Sequence, residues 1–174
     1  MNHSRKTVYL LTLSAMFAAL ITVATVYVLH IHLSLSGGHN CLHVGDTVLY
    51  LAASILPAGY ACAAAAIGSS LANLLCGSVV YAPWTFIIKA LVALCFTADG
   101  SKLLVKRNYI ALSGACLVTV LGYYMTDVVL LNNWLTPLYA AIGNTLQCIV
   151  SSILYLVIGF MLDKIQIKKQ IHLQ

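Results

Sequence analysis

From Thr7 to Leu29 the chain runs for about 23 residues without a charged side chain, enough for a helix to cross the roughly 30 Å hydrocarbon core of a bilayer. Further apolar runs follow, broken by short segments rich in Gly, Pro, Asn and charge. In hydrocarbon every backbone N–H and C=O must find its partner inside the protein, so such runs fold as helices packed on one another. Composition excludes the soluble alternative. Hydrophobic residues make up 61% of the 174 positions and charged residues 7%, against roughly 25% charged in a soluble domain. The first run is too long for the apolar core of a cleaved signal peptide and reads as a retained span.

The expected architecture is all-α: a single membrane domain over residues 1–174, a bundle of six transmembrane helices at about 7–29, 45–56, 59–76, 84–100, 109–131 and 138–162. The second and third, separated by Pro57-Ala58-Gly59, could instead form one re-entrant element with five crossings in all; six is the preferred reading. Six spans of about 20 residues take about 120 positions and leave no room here for a nucleotide-binding domain. No G-x-x-x-x-G-K-[ST] phosphate-binding motif occurs, so any uphill transport must borrow its ATP hydrolysis.

Lysine and arginine set the orientation. Arg5 and Lys6, then Lys102, Lys106 and Arg107, then Lys164, Lys168 and Lys169 all fall on one side of a six-span bundle. The positive-inside rule makes that side, and both termini, cytoplasmic. These bases end apolar runs and do not interleave with aromatics, so the net charge of +5 points to topology and not to nucleic acid. Five of the six cysteines lie in apolar runs, where a thiol packs as a small hydrophobe; Cys41 has no loop partner, and no disulfide framework follows.

Lys89 is the exception among the bases, because it lies within the apolar stretch WTFIIKALVALCF. It either snorkels to the nearby interface or marks a functional site. Depth favours the second reading. At 1.5 Å per residue, Asp46, Asn73, Tyr123, Asp127, Asn144 and Gln147 all fall in the outer half of the membrane with it. The inner half carries small residues: Ala15, Ala18 and Ala19 in the first span, Ala61 and Ala63 to Ala66 in the third. A channel needs polar lining throughout. A polar outer chamber above a closed inner half suits a receptor that captures a small solute, unless the polar groups only tie helices together. His30, His32, His39, Cys41 and His43 crowd the connection at 30–44. Their spacing fits no defined metal motif, and the segment reads better as a lid, with no metal assigned.

Several strings match a known family. His43-Val44-Gly45-Asp46, the Pro57-Ala58-Gly59-Tyr60 turn, Ile67 to Gly77 (IGSSLANLLCG), Tyr81 to Lys89 (YAPWTFIIK) and Gly143-Asn144-x-x-Gln147 resemble the substrate-binding S components of energy-coupling factor transporters. The nearest branch is the hydroxymethylpyrimidine and pyridoxine type. The resemblance covers about residues 12–160, with one departure: Asn73 stands where that branch often carries an acid. It implies a subunit of the bacterial cytoplasmic membrane that binds a vitamin or precursor from outside, hydrolyses nothing and needs no cofactor. Its implied partners are a transmembrane coupling subunit (EcfT-type), two cytoplasmic ATPases (EcfA-type) and the lipid bilayer. Ala15-x-x-x-Ala19 would dock the coupling subunit. Tyr81, Trp84 and Tyr123 would stack on a flat heterocycle. Lys89, Asn144 and Gln147 would hydrogen-bond it, Asn73 would line it, Asp46 and Asp127 would balance Lys89 or meet an amino group, and His43 would close the mouth. Two alternatives stay open: an S component for a transition metal, and a membrane-embedded enzyme using His43, Asp46 and Asp127 as an acid–base set, for which no nucleophile–base spacing is visible.

Overall fold

The computed structural model describes residues 3–28, 31–32 and 41–171. Its elements run α1 (His3–Tyr27), β1 (Ile31–His32), β2 (Cys41–Leu42), α2 (Gly45–Ile55), α3 (Ala58–Leu75), a 3-10 turn (Val79–Tyr81), α4 (Ala82–Cys95), α5 (Lys106–Leu131), α6 (Thr136–Lys164) and α7 (Ile167–Gln170). The strands form a two-residue antiparallel pair, Ile31 opposite Leu42 and His32 opposite Cys41, within the segment expected to be a loop. The lid and metal readings of His30 and His39 lie outside the described residues. Among the described residues no group of three metal-ligating side chains occurs.

The breaks follow from local chemistry. A residue before proline is pushed out of the helical region, and Leu56 ends α2 in extended conformation (φ −87°, ψ 147°) before Pro57 starts α3. Gly77 ends α3 at φ +77°. Its N–H donates to Leu74 O at 3.3 Å and that of Ser78 to Asn73 O at 2.8 Å, the paired closure that a left-handed residue allows after a helix. Pro83 and Pro137 sit in the first turns of α4 and α6, where the missing N–H costs nothing.

Among the described residues four helices are long and apolar enough to cross a membrane: the 4–27 part of α1, then α3, α5 and α6. The second and fourth of the expected spans are shorter. α2 has 11 residues and α4 has 14, about 16 and 21 Å of helix against a core of roughly 30 Å. The short helix α2 is buried on nearly its whole circumference, from Gly45 to Ile55 with Val48 alone less enclosed. A helix apolar all round belongs in an interior. Contacts pass from α1 to α3, α4, α5, α6 and back through α2 to α1, closing a ring of which α2 is a member. α1 and α3 pack closely at Gly68, where a Cβ would lie 2.6 Å from Ala18 O. Thr22 Oγ1 donates to Gly68 O there at 2.9 Å, and Ser14 Oγ to Tyr60 O at 2.9 Å.

The end that carries the basic residues is closed by side chains reading the backbone of the irregular segment 96–105. Asn108, fully buried, accepts the Thr97 N–H (2.8 Å) and donates from Nδ2 to Thr97 O and Leu103 O (both 2.9 Å), with Ser54 Oγ also 3.2 Å from that nitrogen. Asp163 accepts the N–H groups of Leu103 and Leu104 at 2.6 and 3.0 Å. Lys168 donates to the carbonyls of Ala98, Gly100 and Lys102, and burial pushes its amine below the ordinary lysine range. Above this base Tyr50 stacks on Phe96 (4.9 Å between centroids), and Tyr155 meets both edge-on. We expect Asn108→Leu, which strands both the N–H and the carbonyl of Thr97, to destabilise the bundle by about 2–4 kcal/mol in thermal unfolding in detergent. Arg107→Leu, at an exposed neighbour, should change it by less than about 0.5 kcal/mol; equal effects would remove the role given to Asn108.

Candidate ligand-binding site

The most polar part of the interior lies away from the basic end, where α2 begins. Asp46 stands in the first turn of α2, where unpaired N–H groups favour an anion. Lys89, at mid-length in α4, is equally buried, and its Nζ donates to Asp46 Oδ1 at 2.6 Å. The lysine does not snorkel. Its ammonium also lies 5.5 Å from the ring centroid of Tyr123 on α5.

Gln147 on α6 ties this pair to His43, in the short link between β2 and α2. Its Oε1 accepts the His43 N–H at 2.9 Å, its Nε2 donates to His43 O at 2.9 Å, and the same Nε2 lies 3.4 Å from Asp46 Oδ2. The His43 ring nitrogens are 3.0 and 3.3 Å from that amide. Gly45 lets α2 start this close to α1, since any side chain there would collide with Thr25. A second chain of bonds runs through Thr85: Asn73 Nδ2 donates to its hydroxyl at 2.6 Å, and the Tyr123 hydroxyl lies 3.0 Å away. Tyr81 donates to Asp127 Oδ1 at 2.8 Å.

The sequence-predicted residues thus divide. His43, Asp46, Lys89 and Gln147 form one connected network, with Tyr123 against the lysine. Asn73 joins through Thr85, a residue the sequence reading passed over although it lies one turn from Lys89 on the same face of α4. Asp127 pairs with Tyr81 and not with Lys89, whose partner is Asp46. Asn144 is half-buried one turn before Gln147. Trp84 stands apart: it is 39% exposed, while Thr85, Ile88, Lys89 and Val92 take the interior face of α4, so it does not join the aromatic wall expected of it. Ala15 and Ala19 are exposed on α1, one turn apart.

A deeper tier also escaped the sequence reading. One helical turn toward the basic end from Asp46, Tyr123 and Gln147 stand Tyr50, Thr119 and Ser151. Their hydroxyls are buried with no nitrogen or oxygen partner among the described residues. The thiol of Cys148 lies beside the hydroxyl of Tyr50. Three hydroxyls beneath a charged layer give this region donor and acceptor capacity that the protein itself does not use.

A family model described as "ECF-type riboflavin transporter, S component" matches residues 5–164. The chain belongs to this family. No curated protein and no solved structure matches it. The S component expected from the sequence is therefore established, while the branch named is the riboflavin type and not the hydroxymethylpyrimidine and pyridoxine type. As an S component the protein is a multi-pass, substrate-binding part of a transporter and not an enzyme, and it works with a module of membrane and ATPase subunits. The acid–base set of the enzyme alternative is not assembled in any case, because Asp127 is bonded to Tyr81 while His43 and Asp46 share Gln147.

For this S component the ion pair makes a sharp stability prediction. Removing one member of a buried pair leaves the other uncompensated, at about 3–5 kcal/mol. Lys89→Met should lower thermal stability by that order, and Asp46→Leu added to it should restore most of the loss. A double variant no more stable than Lys89→Met would show that the two charges are not held as a unit.

Proposed function

We propose that the protein captures a heteroaromatic vitamin of the riboflavin kind in the polar chamber around Asp46 and Lys89. The observation that carries this reading is the family match over residues 5–164, joined to a buried network whose chemistry suits such a ligand. Asp46 and Lys89 neutralise one another, so the site asks for a neutral ligand with donors and acceptors on a flat ring. Tyr123, Tyr81 and Asn73 line it, Asn144 and Gln147 hydrogen-bond it, Asp127 sets the position of Tyr81, and His43 covers it. The unused hydroxyls of Tyr50, Thr119 and Ser151 supply partners for hydroxyl groups carried by the ligand.

All six bundle helices serve as crossings in this proposal, α2 and α4 being completed by the connections at their ends. Both termini face the cytoplasm of a bacterial cell, as the one-sided lysines and arginines require. An EcfT-type subunit docks on the exposed small-residue face of α1, and two EcfA-type ATPases drive release inside.

Titrating riboflavin, hydroxymethylpyrimidine and pyridoxine into the purified protein, followed by calorimetry, tests the substrate. Riboflavin should bind tightest. Tighter binding of a single-ring compound would overturn the riboflavin reading in favour of the branch suggested by the sequence motifs. Asn144 makes no hydrogen bond to another described side chain, so Asn144→Leu should weaken the best ligand several-fold, up to about tenfold, without lowering thermal stability.

Docking is tested separately. Ala15→Trp with Ala19→Trp should abolish co-purification with the coupling subunit and uptake in cells, and leave ligand affinity of the isolated subunit within about twofold. Joint loss of stability and ligand binding would assign those alanines to the bundle's own packing.

A further inference from the structure

At the basic end of the bundle a groove of about 430 Å³ opens between the start of α5 and the end of α6, lined by Lys102, Leu104, Tyr109, Phe160, Asp163 and Lys164. That volume lies within the range of small-molecule sites. We propose that this groove holds the headgroup of an anionic phospholipid, its phosphate between Lys102 and Lys164 and its acyl chains along Tyr109 and Phe160.

Charge and apolarity are arranged for such an amphiphile. Lys102 and Lys164 are both exposed, and neither pairs with a carboxylate among the described residues, where Lys89 and Asp46 form the ion pair. The acid on the groove wall, Asp163, turns both oxygens toward the backbone N–H groups of Leu103 and Leu104. Its charge is thereby engaged with the loop, and the two ammonium groups face the groove. Leu104 forms the floor by closing on Gly159, where an added Cβ would lie 3.0 Å from Leu104 Cδ2. Tyr109 is 50% and Phe160 67% exposed, on the helix faces that meet lipid tails in a bundle of this kind. An aromatic pair just beyond two lysines, at the last turn of one spanning helix and the first of another, marks the boundary between headgroups and hydrocarbon. Lys106 and Arg107 add to the positive potential at this end, which draws anionic lipid from the surrounding leaflet. The groove lies on α5 and α6, whereas the small-residue face proposed for the coupling subunit lies on α1, so both can be occupied together.

The test uses the full chain in nanodiscs and by native mass spectrometry after delipidation, with phosphatidylglycerol and phosphatidylcholine of matched chains. Phosphatidylglycerol should be retained roughly tenfold better and should raise the unfolding temperature more than phosphatidylcholine does. Lys102→Gln with Lys164→Gln should erase that preference without changing the unfolding temperature in lipid-free detergent; Lys106→Gln with Arg107→Gln should keep most of it. Equal retention of the two lipids, or a preference that survives Lys102→Gln with Lys164→Gln, would overturn the proposal. So would displacement of the lipid by millimolar inorganic phosphate, which would reduce the groove to an anion site indifferent to acyl chains.

Discussion

The contact between Lys89 and Asp46 constrains this bundle more than any other. Each charge alone would be expelled from a hydrocarbon-embedded interior, and together they persist only where the geometry is tight and the remaining polar atoms find partners. That requirement fixes the register of α2 against α4. It draws in Gln147 from α6 and Tyr123 from α5, so four helices are located by one pair of side chains. It also explains why α2 can be so short. Its role is to carry Asp46 on its first turn into the centre of a ring formed with the other five helices, not to meet lipid.

The bundle is polarised along its axis. At one end polar side chains meet one another, and their connectivity leaves hydrogen-bonding capacity over for a ligand. At the other, polar side chains meet main chain: Asn108, Asp163 and Lys168 satisfy the backbone of a segment with no helix or strand to satisfy it. Between the two lies the aromatic floor of Tyr50, Phe96 and Tyr155. A solute entering from the polar end meets first the bonded charged layer, then the unpartnered hydroxyls beneath it and a closed aromatic layer, the arrangement of a receptor and not of a conduit.

Much of this was legible in the sequence because membrane burial makes polar residues conspicuous. Lys89 in an apolar run could be recognised as buried, and the helical spacing of Asp46, Asn144 and Gln147 placed them at a common depth. What stayed hidden was direction and partnership. A tryptophan beside a polar stretch suggests an aromatic wall, but the interior face of α4 is taken by Thr85 and Lys89, which turns Trp84 outward. Thr85, Tyr50, Thr119 and Ser151 left no signal, because Ser, Thr and Tyr are common in membrane helices and satisfy themselves locally as often as they line a site. The end of α4 was blurred for a related reason: apolar residues continue past Cys95 into an irregular segment whose backbone is held by distant side chains. The ligand branch was beyond reach because the quoted strings specify the S-component scaffold, while ligand choice depends on which of its polar atoms remain free.

One small feature, the hold of Gln147 on His43, carries a consequence for how such a subunit can vary. By accepting from the N–H and donating to the C=O of the same residue, the glutamine side chain imitates the edge of a neighbouring strand. Those two main-chain bonds do not depend on which side chain stands at 43, although the imidazole also approaches the same amide. Position 43 can therefore exchange its imidazole for other chemistry and retune the entrance while the anchoring geometry persists. Position 147 has no such freedom, since an acid or an amine of similar length would lose one half of the grip and an aliphatic chain both. Diversity at the mouth is decoupled from the integrity of the wall behind it.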